Sequence, residues 1–374
     1  MPTRTDGAVL PADGPALAAV AARHAEQADA ERVLSAELME RIVSAGFARH
    51  FVPARWGGAA GSLDALVQTV AALGEGCTSA AWNASVIAAA GRMGVFLPLE
   101  GQRELWAKGA DTVVVGALMP SGRAVPVDGG WRLSGEWHYA SAVDFSDWAL
   151  VCAMVQGEER PSPWFLAVPR PDYSVAATWN STGMRATGSN TLRAEDVFVP
   201  RHRGFPRQDM ITGRGVGSDA PCHTAPLRLV SGLFFGTPAL GAARAALRAY
   251  AEHAAAAAAD DPAPRLALSR ATIAVDAAEL LLRRAARVAD GTESCPSATV
   301  RNPADCAFAV EQLTDAVEAL VRAAGSSALA RGGPLERVWR DIHSLASHVA
   351  LRFEPVGTPY GARLLEATGG AVAR

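Results

Sequence analysis

The sequence is poor in lysine and nearly balanced in charge, and both features exclude classes of partner. Lys108 is the only lysine, arginine supplies the other basic residues, and the formal net charge is −3. A chain of this charge has no positively charged footprint for nucleic acid or for anionic lipid. We therefore expect neither a nucleic acid nor a membrane among its partners.

Cysteines and long apolar runs are also scarce. The five cysteines are widely spread and form no CxxC pair, which argues against a disulfide framework or a zinc site. No apolar run reaches the roughly 18 residues that span a bilayer, and the opening MPTRTDGAVLPADG has no secretory signal pattern. We expect a cytoplasmic protein. The following cysteines are expected to be small core residues: Cys77, Cys152, Cys222, Cys295 and Cys306.

What is present divides the 374 residues into three zones. From about residue 16 to 108, apolar residues recur at helical spacing between glycine and proline clusters. Between residue 112 and about 206, short β-branched and aromatic runs alternate with turn signals, as in a small antiparallel sheet or barrel. The remainder is alanine-rich and again helical, and its long helices favour a bundle.

Within these zones, periodicity predicts which faces are buried. After the turn at 128–130, Trp131 and Leu133 should face the core, and farther along Trp137, Tyr139 and Ser141 should share one face. Two apolar stripes of the C-terminal helices are predicted to face the core: Leu266, Ile273, Ala277 and Leu280 in one, and Leu313, Val317, Leu320 and Ala324 in the other.

Three strings carry a more specific signal. GMRATGSNTLRAEDVFVP at 183–200 is a glycine-rich loop leading into a strand, and its glycines would let the backbone approach a cofactor closely. WHYAS at 137–141 lies in the β zone, and WRDIHSLASH at 339–348 lies in the last helical zone. In this order and spacing the strings resemble the acyl-CoA dehydrogenase superfamily. They are most similar to its flavin-dependent two-component monooxygenase branch, the actinorhodin-type aromatic polyketide hydroxylases.

The resemblance covers essentially the whole chain and implies an α+β, acyl-CoA dehydrogenase-like fold. It implies an N-terminal helical domain (1–110), a middle antiparallel β-barrel domain (111–220) and a C-terminal four-helix bundle (221–374). Two positions depart from the family pattern. Ala186 stands where glycine is usual, and the helix around Trp82 has no histidine where some relatives place one. The contacts that some relatives make to a peroxide from that helix therefore cannot all be assigned to this chain.

The same resemblance implies which residues hold a flavin. Trp137 and Ser141 would lie on the flavin-facing strand, and Ser141, Thr187 and Ser189 would hydrogen-bond the isoalloxazine edge. Each residue also has a structural interpretation, because an aromatic side chain can fill a core and a hydroxyl can bond the backbone of its own turn.

Two further candidates for cofactor binding lie on helices. Trp82 is either a core aromatic residue or a cofactor contact. Arg270 is either a surface arginine or, as the resemblance implies, the residue that reaches the flavin phosphate of a neighbouring subunit. The resemblance also implies a homotetramer whose flavin sites are shared across interfaces.

The third string places Asp341, Ser344 and His348 at i, i+3 and i+7, which predicts one polar line along a helix. Such a line either faces solvent or belongs to a site. An imidazole titrates near neutral pH, so His348 could donate to a peroxide or accept a phenolic proton, with Asp341 orienting it. His343 points elsewhere around the helix.

Two absent motifs narrow the chemistry. The chain lacks the tyrosine–glutamate–glycine–threonine string that supplies the carboxylate base in the dehydrogenase branch. It also lacks a Walker loop and a G-x-G-x-x-G motif after a strand, which argues against a nicotinamide site of its own. A separate NAD(P)H:flavin reductase would therefore have to supply the reduced flavin.

We expect the oxygenase component of a two-component monooxygenase, an enzyme that takes reduced FMN, or FAD, together with O2. It would hydroxylate a phenolic, polycyclic substrate of the aromatic polyketide type through a C4a-hydroperoxyflavin, chemistry that belongs to the flavin. The alternatives are an amino-sugar N-oxygenase of the nitrososynthase type, an acyl-CoA dehydrogenase and a non-catalytic scaffold. Apolar pocket candidates favour the aromatic substrate: Phe96, Phe234 and Phe235.

Overall fold

A computed structural model describes residue 10 and residues 14–157, 160–255 and 262–372. Most of the N-terminal stretch that was searched for a secretory signal pattern lies outside these residues. The N-terminal part contains the following helices: α1 (Gly14–Glu31), α2 (Ala36–Ser44), α3 (Leu63–Gly74), α4 (Thr78–Met93) and α5 (Leu99–Leu105). Helices α2 and α3 begin at serine N-caps, because Ser35 and Ser62 accept hydrogen bonds from the first-turn amides of Leu38 and Ala65.

The middle of the chain folds into a seven-stranded sheet. Its strands are β1 (Val114–Val127), β2 (Gly130–Ala140), β3 (Trp148–Val155), β4 (Ser162–Pro169), β5 (Ser174–Ala176), β6 (Asn190–Pro200) and β7 (Gly204–Pro206). They are hydrogen-bonded in the order β5-β6-β2-β1-β3-β4-β7. The expected antiparallel arrangement holds except at one pair, since β1 and β3 run parallel. After the β1–β2 hairpin the chain crosses back and adds β3 to the free side of β1, in the same direction as β1.

The first hairpin follows its sequence pattern. Trp131 and Leu133 are buried, whereas Arg132 and Ser134 between them are exposed. The alternation predicted from the turn at 128–130 is therefore confirmed for this half of β2.

Helices return after the sheet. They are α6 (Arg207–Thr212), α7 (Pro221–Thr224), α8 (Leu227–Ala255), α9 (Pro262–Ala289), α10 (Ala298–Ala324), α11 (Pro334–Ala346) and α12 (Phe353–Val372). Helices α8 to α11 pack on one another as the predicted bundle. Among the described residues, none of the helices combines the length and apolar character that crossing a bilayer requires.

One predicted stripe of the bundle is confirmed and the other is wrong. Leu313, Val317 and Leu320 of α10 are buried in the core. Leu266, Ile273 and Leu280 of α9 are exposed instead. The reason is that α9 has a second apolar face, made mostly of alanine with Val275 and Leu282, and this face contacts the bundle: Ala271, Val275, Ala278, Leu282, Ala285 and Ala286.

Most cysteines fill the core, as predicted from their spacing. Cys77, Cys152, Cys222 and Cys306 are buried, and burial raises the pKa of each thiol to about 11 or 12. Cys295 is half-exposed. The hydrophobic core itself runs from the N-terminal helices through the sheet into the bundle, so the three zones pack around shared apolar contacts.

The N-terminal helices are joined to the bundle where α3 crosses α8. Gly74 and Gly241 lie at the crossing, and a Cβ at Gly241 would overlap the Ala71 carbonyl and the Gly74 backbone. The absence of side chains therefore sets the distance between these two helices.

Replacing Gly241 by alanine should force α3 and α8 apart. We expect a loss of about 1–3 kcal/mol in the free energy of unfolding, the usual cost of overpacking a core. Gly361→Ala in α12 is the matched control, because no atom lies within 4 Å of its added methyl. There the higher helix propensity of alanine should be neutral or stabilise by up to about 1 kcal/mol. Urea denaturation measures both values, and equal unfolding free energies would contradict the close approach.

Candidate active site

Ser141 is presented by an irregular turn at the end of β2. The pairing of β2 with β6 shifts register between Trp137 and Ala140, and Tyr139 and Ala142 adopt left-handed φ values of 63° and 60°. This irregularity ends the alternation of the strand. Tyr139 is 75% exposed while Trp137 is buried, so the expectation that Trp137, Tyr139 and Ser141 share a face is wrong.

Trp137 lies inside the sheet domain, away from Ser141. Its side chain is 1% exposed, and its indole N–H donates to the Cys152 carbonyl at 2.7 Å. Gly122 and Gly135 leave the space that the ring fills, since a Cβ at either residue would overlap it or press against it. The structure therefore does not bring Trp137 together with the other predicted flavin residues, and it gives this side chain a packing role.

The glycine-rich loop brings two hydroxyls to Ser141. Met184 and Gly188 both have φ values of 53°, and the Thr187 amide donates to the Met184 carbonyl at 3.2 Å. The Thr187 carbonyl in turn accepts a hydrogen bond from the amide of Ala142, beside Ser141. The loop and the end of β2 are thus fixed side by side, as the two sequence strings suggested.

A continuous hydrogen-bond chain runs through these residues. The Trp82 indole N–H donates to Ser141 Oγ at 2.9 Å, Ser141 Oγ lies 2.8 Å from Ser189 Oγ, and Ser189 Oγ lies 2.7 Å from Thr187 Oγ1. Thr187 Oγ1 donates to the Met184 carbonyl at 2.9 Å. Because a hydroxyl has a single proton, this last bond fixes the direction of every other bond. Ser189 must donate to Thr187, and Ser141 must donate to Ser189.

Asp341 anchors the loop to α11. Its Oδ1 accepts a hydrogen bond from the Met184 amide at 2.6 Å, and it lies beside a cavity of about 160 Å³ also lined by Arg337. Burial raises the pKa of Asp341 to about 7, and the hydrogen bond from Met184 opposes that shift. Gly183 packs directly on the helix, where a Cβ would overlap the Arg340 carbonyl. Asp341 therefore binds the loop backbone and does not orient His348 as predicted.

An ion-pair cluster beside Asp341 was not predicted from sequence. Arg340 contacts Asp29 of α1 at 3.1 Å and Glu336 at 2.6 Å, and it donates to the Thr182 carbonyl at 2.6 Å. Arg185 donates to the Asp29 carbonyl at 2.8 Å. The cluster ties the glycine-rich loop to two helices. No spacing in the sequence could reveal it, because Asp29 and Arg340 lie at opposite ends of the chain.

The His348 ring contacts the ring of Trp82, the residue whose indole N–H bonds Ser141. Helix α11 ends at Ala346, so the helical polar line stops short of this residue, contrary to prediction; His348 caps the turn that follows. Its ring lies 4.1 Å from the Phe235 ring and 5.6 Å from the Trp82 ring, measured between centroids. Burial lowers its pKa to about 4. Its Nδ1 accepts a hydrogen bond from the Ala350 amide at 3.2 Å, so the neutral ring carries its proton on Nε2.

Of the phenylalanines predicted to line a pocket, only Phe235 contacts His348. Phe96 packs on Phe205, and Phe234 packs on Phe51, so both are core residues. Trp82, Phe235 and His348 form one aromatic group, which we call the aromatic triad.

The remaining candidates lie away from this group. His343 is exposed, and its Nδ1 is 2.8 Å from the Trp339 carbonyl, as its position around the helix predicted. Ser344 faces the loop, since its hydroxyl lies against Gly183. Arg270 is exposed on α9. Its predicted contact with a neighbouring subunit's flavin stays a prediction.

The pKa of Asp341 gives a test of its burial. Since the folded pKa lies near 7 and the usual value is 3.8, the folded state binds the extra proton between about pH 4 and 7. The contribution of Asp341 to stability is therefore fully present below about pH 4, falls as pH rises to 7, and is constant above. Asp341→Asn keeps an acceptor for Met184 but cannot titrate.

We expect the wild type to lose stability relative to Asp341→Asn as pH rises from 4.5 to 7.5. Urea unfolding of both proteins across this range measures the difference. Buried histidines titrate equally in both proteins, so their effect cancels. Parallel stability curves would show that Asp341 is ionised at every pH tested.

Comparison with known proteins shows which families and structures this chain is similar to. Residues 233–353 match the family described as Acyl-CoA dehydrogenase, C-terminal domain. The oxygenase component of the FADH(2)-dependent resorcinol hydroxylase of Rhizobium sp. (strain MTP-10005) is 29% identical over 372 residues, an alignment that covers 91% of this chain and 90% of the relative.

Solved structures agree with this assignment. The HsaA monooxygenase of M. tuberculosis superposes with a TM-score of 0.90 at 27% identity, over 97% of this chain and 98% of that one. XiaF from Streptomyces sp., in complex with FADH2 and glycerol, superposes with a TM-score of 0.87 at 25% identity, over 94% and 93%. The C-terminal part of the chain thus matches the acyl-CoA dehydrogenase C-terminal domain, and nearly the whole chain is similar in sequence and fold to oxygenase components of flavin-dependent monooxygenases.

Proposed function

We propose that this protein hydroxylates a phenolic, polycyclic substrate of the aromatic polyketide type, using O2 and reduced flavin delivered by a separate NAD(P)H:flavin reductase. The observation that carries the proposal is a contact between two groups of residues. One is the hydrogen-bond chain through Ser141, Ser189 and Thr187, which we call the hydroxyl chain, and the other is the aromatic triad. Trp82 belongs to both, since its indole N–H donates to Ser141 and its ring contacts those of Phe235 and His348. A polar edge suited to flavin therefore adjoins an apolar face suited to an aromatic ring.

The hydroxyl chain fits the edge of a reduced isoalloxazine. All of its protons are used within the chain, so Ser141, Ser189 and Thr187 can offer only lone pairs outward. Lone pairs are the partners that the ring N–H groups of a flavin need, and reduction of a flavin adds such groups to the ring. Bound there, reduced FMN or FAD would activate O2 as its C4a-hydroperoxide.

His348 is proposed to donate a hydrogen bond at the reacting oxygen. Its pKa of about 4 keeps the ring neutral at pH 7, and the Ala350 amide occupies Nδ1. No described residue bonds Nε2–H, so it can donate, and neither ring nitrogen can take a proton from a phenol. We therefore assign His348 the donor role and not the role of base. Asp341 is assigned the positioning of the loop at Met184.

The alternative functions need groups that the described residues around His348 do not present. An amino sugar calls for carboxylates around the substrate, yet the rings against His348 are those of Trp82 and Phe235. A dehydrogenase calls for a carboxylate base, and Glu354 is exposed at the start of α12. One relative that carries a substrate in its name, resorcinol hydroxylase, acts on a phenol, which supports the aromatic choice. The homotetramer implied by the family stays a prediction.

Reconstitution tests the proposal directly. The protein would be incubated with a flavin reductase, NADH and either FMN or FAD, and with one of three substrates: resorcinol, a polycyclic phenol such as a naphthol, or an amino-sugar nucleotide. Mass spectrometry with labelled O2 detects the transferred atom. We expect one labelled oxygen in the phenols, most rapidly in the polycyclic one. Labelled amino sugar, or no label above the reductase-only reaction, would refute phenol hydroxylation.

Substitution of His348 separates binding from reaction. His348→Ala should bind reduced flavin as the wild type does, as judged by anaerobic titration, because the His348 ring contacts Trp82 and Phe235 and is not part of the hydroxyl chain. Product formation should fall about 10²-fold, as when a donor to a reacting oxygen is removed, with a matching rise in hydrogen peroxide. His343→Ala is the control, since that ring is exposed. Normal coupling in His348→Ala would remove His348 from the mechanism.

A further inference from the structure

A cavity of about 160 Å³ lies where the start of α4 meets α8 and α11. Cys77 and Thr78 line it from the α4 side, and Arg337 and Asp341 line it from α11. Its volume suits several water molecules or one small organic ion. The described residues that line it include no member of the hydroxyl chain or of the aromatic triad. This cavity, which we call the α11 cavity, is separate from the proposed active site and is connected to the glycine-rich loop through Asp341.

Two polar groups at the α11 cavity lack partners. Arg337 is half-buried, and its guanidinium has no hydrogen bond or ion pair with any described residue. Asp341 is 5% exposed, and only its Oδ1 is bonded, to the Met184 amide; Oδ2 has no hydrogen-bond partner in the described part of the chain. Arg248, in contrast, is paired with Glu75 at 3.1 Å at the same cavity. A guanidinium and a carboxyl oxygen left unsatisfied together call for a ligand that bonds both.

The charges around the cavity favour an anion with a single negative charge. Because Arg248 and Glu75 neutralise each other, the charge of Arg337 is left uncompensated. Helix α4 begins at the cavity, and the positive end of a helix dipole also favours an anion. Glu252 is exposed and lines the cavity, so it repels a second negative charge.

The protonation of Asp341 narrows the ligand further. Burial raises its pKa to about 7, so below neutral pH the carboxyl group carries a proton and donates a hydrogen bond. Arg337 is also a donor, and both groups therefore need an acceptor. The two oxygens of a carboxylate match the parallel N–H groups of a guanidinium, and a carboxyl group shares its proton readily with a second carboxylate.

We propose that the α11 cavity binds a small monocarboxylate, held by the guanidinium of Arg337 and the carboxyl group of Asp341. The bound ligand keeps the proton on Asp341, and a neutral carboxyl oxygen accepts a weaker hydrogen bond than a carboxylate does. The Met184 amide, and with it the glycine-rich loop, is then held less tightly by α11. The ligand is therefore an effector that lowers flavin affinity. This last step rests on the placement of the flavin at the hydroxyl chain, as proposed above.

Several groups set the pH at which Asp341 titrates. Arg337 and Arg340 on its own helix favour the ionised carboxylate, whereas Asp29 of α1 opposes it. Burial raises the pKa of the Cys77 thiol to about 11, so this group stays neutral. The other charged residues that line the cavity are Glu75, Arg248 and Glu252.

Acetate titration tests the site in flavin-free protein. At pH 6 we expect acetate to bind with a millimolar dissociation constant, as suits so small a ligand, and saturation-transfer NMR measures it. Arg337→Gln should weaken binding about tenfold, because it removes the charge that faces the ligand. Arg322→Gln is the control, since that arginine is exposed on α10 and does not line the cavity. No binding of acetate, tighter binding of ethylammonium, or equal binding by Arg337→Gln would overturn the proposal.

The pH dependence tests the role of Asp341. In the wild type, acetate affinity should fall about tenfold for each pH unit above 7, because the ionised carboxylate repels the ligand and has no proton to donate. In Asp341→Asn the amide oxygen accepts from Met184 and the amide nitrogen donates to acetate at every pH, so the affinity should stay constant. A wild type without pH dependence, or an Asp341→Asn protein that follows the wild-type curve, contradicts the assignment.

Anaerobic titration with reduced FMN at pH 7.5 measures the effect on the flavin site. Saturating acetate, against chloride at equal ionic strength, should weaken flavin binding about threefold in the wild type and leave Arg337→Gln unchanged. Equal flavin affinity with and without acetate in the wild type would overturn the effector role. The acetate titrations need neither flavin nor turnover, so a failure to hydroxylate phenols leaves them as they are.

Discussion

The site depends on one buried hydrogen bond, from the Met184 amide to the Asp341 carboxylate. It fixes the glycine-rich loop on α11 at the point where Gly183 lets the two backbones touch. The Met184 carbonyl, on the opposite side of the same residue, receives the hydroxyl proton of Thr187. The position of the loop and the direction of the hydroxyl chain are therefore both determined at Met184.

The direction of the hydrogen bonds in the hydroxyl chain determines which partners the polar edge can bind. Each of the three hydroxyls uses its proton within the chain, which ends at the Met184 carbonyl and begins at the Trp82 indole N–H, so toward a bound molecule they can only accept. Trp82 also packs against His348 and Phe235, which connects the polar edge to the apolar face. Both faces of the site are thus set by contacts between the N-terminal helices, the sheet and the bundle, and none of these three parts forms it alone.

The sequence predicts the order of helices and strands well, because hydrophobic periodicity follows from local geometry. It also locates Ser141, since a family string contains it. Prediction from the sequence fails where contacts between distant residues determine the structure. Alternation along β2 cannot reveal the left-handed turn at Tyr139. An apolar stripe cannot show which of two apolar faces of α9 packs on the core, and Ile273 lies on the exposed one. The partner of Asp341 depends on a loop more than 150 residues away, which no spacing within one helix can indicate.

The central claim is that the hydroxyl chain and the aromatic triad shelter an oxygenated flavin. Rapid mixing tests it most directly: the protein is loaded anaerobically with photoreduced FMN, or FAD, and mixed with oxygenated buffer while flavin absorbance is followed. The account predicts that flavin on the protein reaches its oxidised spectrum far more slowly than free flavin, through a species with its own absorbance. Reoxidation at the rate of free flavin, with no such species, would contradict it.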